Sequence, residues 1–421
     1  MDKETIKKII LKYNTLVPEN IFKRDLKTSE IKLNKAITII GPRRAGKSYY
    51  LYSIFKKQEK PVFLNFEDNQ LQGIKSNDLE MIKECAKELF GPEKLTYFFD
   101  EIQEVDNWEK FIVTIINEGN KVFLTGSNSK LLSKEISTSL RGKSLPFLLM
   151  PYSFKEFLRS KQIEINDKTL LTDEVYKIKR KFKEYFEFGG FPEITTTKEK
   201  NTKSRLALSY YESVIYKDLV DRLKITNTNL IEITINYIIN NFGHKFSITS
   251  FENHLKSTKT PYSLEDIYKI LDSLEDIFFA HYIKKYSKSF RKERLSKSKI
   301  YLSDNAYITF LSKESEDNGR KLENLIFQEL YRQQQTISYY SQKNECDFIT
   351  QKEKQTRAIQ VCYTLNEKNK KREINGLIEA IEFFKLKSGT IITLEQEETI
   401  KEKNKTIVII PAWKWLLKQK Y

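Results

Sequence analysis

Cysteine is nearly missing from this chain. Cys85, Cys346 and Cys362 stand far apart with no Cys-x-x-Cys pair, which excludes a disulfide framework or a thiolate zinc site and fits a reducing compartment. Histidine is as rare: His244, His254 and His281 share no ligand spacing, so none reads as part of a metal centre. No apolar run approaches the roughly 20 residues that span a bilayer. The N-terminus, Met1-Asp-Lys-Glu-Thr-Ile-Lys-Lys-Ile-Ile10, interleaves charge with apolar residues like an amphipathic helix and unlike a secretory leader. A cytoplasmic protein with no membrane contact is expected. No internal repeat is present, and low complexity is limited to short Lys-rich loops.

What the chain does have is apolar content and positive charge. A 39% apolar fraction, with 13% aromatic residues, supplies folded cores, and 421 residues exceed what one core usually supports. Lysine and arginine outnumber aspartate and glutamate by 73 to 57, a net charge of +16. That surplus points to a polyanionic partner, nucleic acid ahead of membrane surface.

Short β-branched and aromatic runs at Ala36–Ile40, Val62–Phe66, Leu95–Phe99 and Lys121–Gly126 alternate with helical patterns, the texture of a parallel, doubly wound α/β sheet. The first run leads into Gly41-Pro-Arg-Arg-Ala-Gly-Lys-Ser48 and then a helix, the strand–loop–helix context that a P-loop requires. Glycines let the backbone wrap phosphates and aim N–H groups at them. The nucleotide-binding set is Gly41, Pro42, Arg43, Arg44, Ala45, Gly46, Lys47, Ser48 and Tyr49, with Lys47 on the β- and γ-phosphates of ATP. Ser48 and Asp100 are the expected Mg²⁺ ligands, and Glu101 the residue that polarises the attacking water. Lys121–Gly126 delivers Ser127 and Asn128 to the same sheet edge, where Asn128 would sense the γ-phosphate. Arg141 could reach a neighbour's γ-phosphate in an oligomer.

Further along, residues 161–243 are helical and charged, broken by Phe188-Gly-Gly-Phe-Pro192. Residues 244–305 combine two helices, capped at Thr249-Ser-Phe-Glu252 and Ser263-Leu-Glu-Asp266, with a strand and a basic loop, a winged helix-turn-helix pattern. Leu264, Ile267, Leu271 and Leu274 would line the second helix's buried face. Lys284, Lys285, Lys288, Arg291, Lys292, Arg294, Lys297 and Lys299 interleave with Tyr286 and Phe290, so residues 284–299 are the expected surface for non-specific DNA. Residues 306–421 read as a small α/β domain.

These motifs, with Phe99-Asp-Glu-Ile-Gln103, Pro151-Tyr-Ser-Phe154, Tyr301-Leu-Ser-Asp304, Gly319-Arg-Lys-Leu-Glu-Asn324 and Glu345-Cys-Asp-Phe348, make the chain similar to AAA-type P-loop ATPases of bacteria and archaea that carry a C-terminal domain of unknown function. The resemblance implies an AAA-type core at 31–160 behind an N-terminal helix and connector at 1–30. A helical segment (161–243), a winged helix (244–305) and a restriction-endonuclease-like domain (306–421) would follow. That family usually has Gly-Arg where this chain has Gly142-Lys143, which shifts any trans-acting role toward Arg141. A nuclease of that fold needs Glu, Asp and Glu-x-Lys; Glu323 and Asp347 occupy the first two places, but Gln360-Val-Cys362 replaces the third. An inactive nuclease-like module is therefore expected, with Lys343 a conceivable substitute cation.

The reading is an oligomeric ATP-hydrolysing switch or motor, coupled to DNA or to a protein partner. An ATP-gated nuclease and a nucleotide-switched scaffold remain the alternatives.

Overall fold

The computed structural model describes residues 2–419 apart from 29–30, 32, 128–139, 141, 167–171, 221–226, 314–316 and 354. The chain divides into two compact units: Met1–Met150 with Asp276–Phe278, and Pro151–Glu275 with Phe279–Tyr421.

In the first unit, helix α1 (Lys3–Thr15) starts on Asp2, whose carboxylate accepts from the Thr5 N–H and fills a donor the helix leaves open. Then come β1 (Ala36–Ile40), α2 (Lys47–Phe55), β2 (Pro61–Asn65), α3 (Ser76–Phe90), β3 (Thr96–Asp100), α4 (Trp108–Asn117), β4 (Lys121–Gly126) and β5 (Ser144–Leu148). All five strands are parallel, in the order β2-β3-β4-β1-β5, so the doubly wound expectation holds. Strands covered on both faces must be apolar throughout, and β1 and β3 are buried at every position. A stacked pair ties α2 to the sheet, Tyr52 lying 4.2 Å from Phe63, and a second, Phe98 5.0 Å from Phe123, joins β3 to β4 on the same face. Truncating one such ring to alanine typically costs about 3–5 kcal/mol.

Central placement of β1 puts Gly41 at the carboxyl edge of the sheet, where open α/β sheets bind ligands. The position tolerates only glycine: φ is +149°, and a Cβ would fall 2.1 Å from the Leu149 carbonyl oxygen. Among the described residues, no helix is long and apolar enough to cross a membrane.

In the second unit, α5 (Phe154–Ser160), α6 (Glu174–Phe188), α7 (Pro192–Thr196), α8 (Lys200–Ser213) and α9 (Thr228–Asn240) lead to a three-stranded antiparallel sheet. That sheet is β6 (Lys245–Phe246), β7 (Ala280–Lys284) and β8 (Ser298–Leu302), with α10 (Ile248–Ser257) and α11 (Leu264–Asp276) between β6 and β7. Helix α10 is capped by Ser247, which accepts from the Ser250 N–H, and not by Thr249, since the chain turns helical two residues earlier. Ser263 caps α11 as its motif implies. Leu264, however, is 47% exposed, because the first turn overhangs solvent, and Ile270 joins Ile267, Leu271 and Leu274 in the core.

Three distant motifs meet at one point. Asp304 Oδ2 accepts from Gly190 N at 2.7 Å, and Tyr152 N donates to Gly190 O at 2.7 Å. Gly189 has φ +72°, and a Cβ there would lie 1.6 Å from Asp304 Oδ1. Burial pushes the Asp304 carboxyl up to about 7 against two backbone N–H bonds, from Ala306 and Gly190. This contact explains why Gly-Gly, Pro-Tyr-Ser and Leu-Ser-Asp occur together in one chain.

The chain continues through α12 (Phe290–Arg294, between β7 and β8), α13 (Asn305–Leu311) and α14 (Asn318–Arg332) into β9 (Thr336–Ser341), β10 (Glu345–Lys352) and β11 (Gln355–Val361). It ends with α15 (Lys370–Phe383), β12 (Ser388–Thr393), β13 (Glu398–Glu402), β14 (Lys405–Pro411) and α16 (Ala412–Lys418). The six strands run β13-β14-β12-β11-β10-β9, parallel only at β11–β12 and β12–β14. A bulge between Cys346 and Ile349 breaks the β9–β10 register and re-aims Asp347, as bulges do beside clefts.

Candidate active site

Gly46, at φ +92°, opens α2, so Lys47 and Ser48 occupy its first turn. Lys47 is buried; its ammonium donates to the carbonyls of Gly41 and Pro42, each at 3.2 Å, and stands 3.6 Å from Glu101 Oε1. The Ser48 hydroxyl donates to Asp100. Arg43 pairs with Glu67 at 2.9 Å, Arg44 takes a left-handed φ of 64°, Pro42 and Ala45 are buried, and Tyr49 is 53% exposed. The structure thus brings Lys47, Ser48, Asp100 and Glu101 together at the ends of β1 and β3.

The two carboxylates are tuned apart. Burial and the adjacent Glu101 charge push Asp100 up to about 6, against hydrogen bonds from Thr125 and Ser48. Burial also opposes ionisation of Glu101, but Lys47, Gln103, Arg43 and the Ser127 N–H together hold it below the usual carboxylate range. Glu101 therefore stays ionised at neutral pH, the state a water-polarising base needs. Its φ of 51° is a strained value for glutamate.

Two contributors escaped sequence reasoning. Thr125 Oγ1 donates to Asp100 Oδ1 and accepts from Glu101 N at 2.9 Å, tying both acids to β4. The Leu124-Thr-Gly-Ser stretch was legible as a strand end, but its alternation also aims Thr125 at β3. Arg24, in the connector, donates to Ala45 O at 2.8 Å and to the Met150 carbonyl, and Tyr50 Oη donates to Leu26 O at 3.0 Å. Asn128 and Arg141 lie outside the described residues. Lys143 precedes β5, at the sheet edge opposite the P-loop, where its ammonium donates to Asn117.

The donor set suits nucleotide and Mg²⁺: a buried ammonium, a helix N-terminus beside glycines of positive φ, and a hard hydroxyl–carboxylate pair.

A second constellation occupies the other unit. Glu323 on α14, and Glu345 and Asp347 on β10, converge on one buried ammonium, that of Lys299 on β8, at 3.0, 2.9 and 2.9 Å. Three N–H donors meet three carboxylates. Lys245 takes the other Glu345 oxygen at 2.5 Å. The wall continues through Gln360, whose oxygen accepts from Asp347 N at 3.2 Å and whose amide donates to Glu373 at 2.6 Å. Glu323, Glu345, Asp347, Gln360 and Glu373 floor an open cleft of about 850 Å³ that Arg320, Lys343 and Arg372 also line. Burial and the Asp347 charge push Glu323 up to about 7, although Lys299 and Tyr301 pull it down.

Lys299 was expected on the DNA-facing surface. Correcting that placement, it is 4% exposed, because it lies within β8, the central strand of its sheet and buried at every position, whereas Lys297 precedes the strand and is exposed. Tyr286 is half-buried too, 4.6 Å from Phe384. Lys288, Phe290, Arg291, Lys292, Arg294 and Lys297 are exposed, and Lys284 and Lys285 partly so.

Residues 33–158 match the AAA domain model, 179–318 a domain of unknown function (DUF8612), and 318–415 another (DUF4143). Among solved structures, Cdc6p of Pyrobaculum aerophilum aligns over 67% of this chain and 91% of its own, at 11% identity and TM-score 0.27, a likeness too slight to speak to function. An uncharacterised Haemophilus influenzae protein is 29% identical over 341 residues, 78% of this chain and 82% of its own. The uncharacterised Methanocaldococcus jannaschii protein MJ1544 is 39% identical over 412 residues, covering 94% of this chain and 91% of that protein. On that likeness the chain belongs to the same family as MJ1544, with an AAA-type P-loop domain ahead of two domains of unknown function.

Proposed function

We propose that the protein is a cytoplasmic ATP-hydrolysing switch, acting as an oligomer and coupling nucleotide state to DNA. The observation that carries it is the closed set at the ends of β1 and β3: Ser48 on Asp100, and Lys47 3.6 Å from Glu101. Ser48 and Asp100 would hold Mg²⁺, which would supply charge stabilisation for the phosphates. Lys47 exchanges its two carbonyl partners for phosphate oxygens. Glu101, ionised and kept in place by Thr125 and Gln103, orients and deprotonates the attacking water. Asn128 would sense the γ-phosphate, and Arg141 would act on a neighbouring subunit. The segment 244–305 serves as a winged helix whose exposed hairpin meets phosphate backbone. Steady-state hydrolysis by wild type and Glu101→Gln, each with and without double-stranded DNA, tests this. DNA-stimulated turnover that Glu101→Gln abolishes supports the switch; equal rates in both proteins would overturn the assignment.

One observation favours a second reading. Cys362 cannot supply a cation to the C-terminal cleft, but Lys299 does, beside Glu323 and Asp347. A restriction-endonuclease-like domain with these carboxylates as divalent-metal ligands and Lys299 as its charged companion would cleave DNA when ATP permits. Metal-dependent cleavage that Asp347→Ala removes supports it; no cleavage by the wild type in Mg²⁺ or Mn²⁺ refutes it.

A further inference from the structure

The hairpin between β7 and β8 carries more than charge. Its stem is fixed: Lys284 pairs with Ser298, Lys285 N donates to Ser296 Oγ, and Tyr286 N donates to Tyr339 O at 2.7 Å, joining the hairpin to edge strand β9. Tyr286 packs on Phe383 and Phe384. Beyond this rigid base, Phe290 at 78% and Leu295 at 77% exposure are the two most exposed large apolar side chains among the described residues. They sit at either end of α12. Around them, residues 284–297 hold Lys284, Lys285, Lys288, Arg291, Lys292, Arg294 and Lys297 against Glu293 alone. None of these seven cations forms an ion pair among the described residues.

Keeping a phenylalanine and a leucine in water forgoes their hydrophobic burial, so a partner that covers them gains it. Charge complementarity selects a polyanion. A five-residue helix with two apolar side chains is too small for an interfacial membrane anchor, which needs an extended apolar face. Duplex DNA suits both features, since proteins that set arginines and lysines on its phosphates also drive phenylalanine or leucine wedges between minor-groove base steps and kink the duplex.

We infer that Phe290 and Leu295 are a minor-groove wedge, held by the cations of residues 284–297, that bends the duplex this protein binds. The inference rests on the DNA-coupled reading above. On it, DNA enters as a deformed substrate: the cost of unstacking is recovered through phosphate contacts that the bend creates.

The experiment uses the full chain and a 30-base-pair duplex labelled at both ends for energy transfer, with affinity measured across a salt series. Wild type should bind and bring the ends together. Phe290→Ala/Leu295→Ala, both on the surface and checked by unchanged thermal unfolding, should keep the salt dependence, lose about fivefold to tenfold in affinity and leave the duplex straight. Arg291→Ala/Lys292→Ala/Arg294→Ala should flatten the log–log salt slope by about 2–3 units. The wedge is overturned if the Phe290/Leu295 variant bends DNA as wild type does, or if wild type binds without bending. No DNA binding by wild type at low salt overturns the DNA reading itself. If vesicles of phosphatidylserine then retain wild type and release the Phe290/Leu295 variant, the hairpin is a membrane contact instead.

Discussion

Replacing Lys299 with methionine is the sharpest probe of the C-terminal unit, because it keeps the volume of the side chain and deletes only its charge. In the wild type, Glu323, Glu345 and Asp347 face Lys299 and Lys245, three negative charges against two positive. The variant leaves three against one, with Glu323 and Asp347 buried and deprived of their shared partner. Breaking a buried ion pair from one side costs about 3–5 kcal/mol, and two of these carboxylates have no compensating lysine. Protonation of Glu323 relieves the imbalance. Folding raises its carboxyl from the ordinary 4.5 to about 7, so the proton favours the folded state. That contribution is complete below about pH 4.5 and is lost as pH climbs through 7. The penalty for Lys299→Met should therefore be full at pH 8 and fall to about half at pH 5.5, where Glu323 is neutral in both proteins. Urea unfolding followed through Trp413 and Trp415, buried in this unit, reads it out once Trp108 is replaced by phenylalanine to silence the other unit. A shift below about 1 kcal/mol at pH 8, or the same shift at both pH values, would refute the account of Lys299 as the counter-ion of these acids.

Thr125→Val should leave nucleotide binding within about threefold while lowering turnover at least tenfold. It strips a hydrogen bond from Asp100 and orphans the buried Glu101 N–H, a loss of about 1–3 kcal/mol; fluorescent-nucleotide titration beside phosphate release measures both, and normal turnover would count against the tether. Gly189→Ala, which drives a Cβ into Asp304 at φ +72°, should destabilise the second unit by more than about 3 kcal/mol. Near-wild-type melting of that variant would show that the Gly189–Asp304 contact is dispensable.

Much of the first unit was legible because its physics is local. A P-loop is contiguous: its glycines, lysine and serine lie within eight positions, and the strand before and helix after announce themselves by apolar run and period. Asp100 and Glu101 could be found because a buried strand ending in two acids conflicts with its own hydrophobicity. Thr125 was hidden because threonine in a β-branched strand is unremarkable until the register of β3 and β4 is known. Arg24 was hidden more deeply, since a charged connector residue gives no sign that its guanidinium will join two carbonyls, one of them 126 positions away.

Lys299 shows why the remainder required coordinates. In sequence it ends a basic run, and composition groups it with Lys297 and Arg294. What separates them is the start of β8: Lys297 lies just before the strand, in the exposed hairpin, whereas Lys299 lies within it, where every position is buried. Lys297 faces water and Lys299 faces Glu323, Glu345 and Asp347. No window of sequence contains both the lysine and its acids, which lie 24 to 48 positions downstream. The Gln360-Val-Cys362 stretch reads as a loss of positive charge only while that charge is sought on the same strand. Electrostatics is satisfied by position in space, and β8, from the neighbouring three-stranded sheet, delivers the ammonium instead. The two sheets of this unit are thus joined by charge as well as by packing.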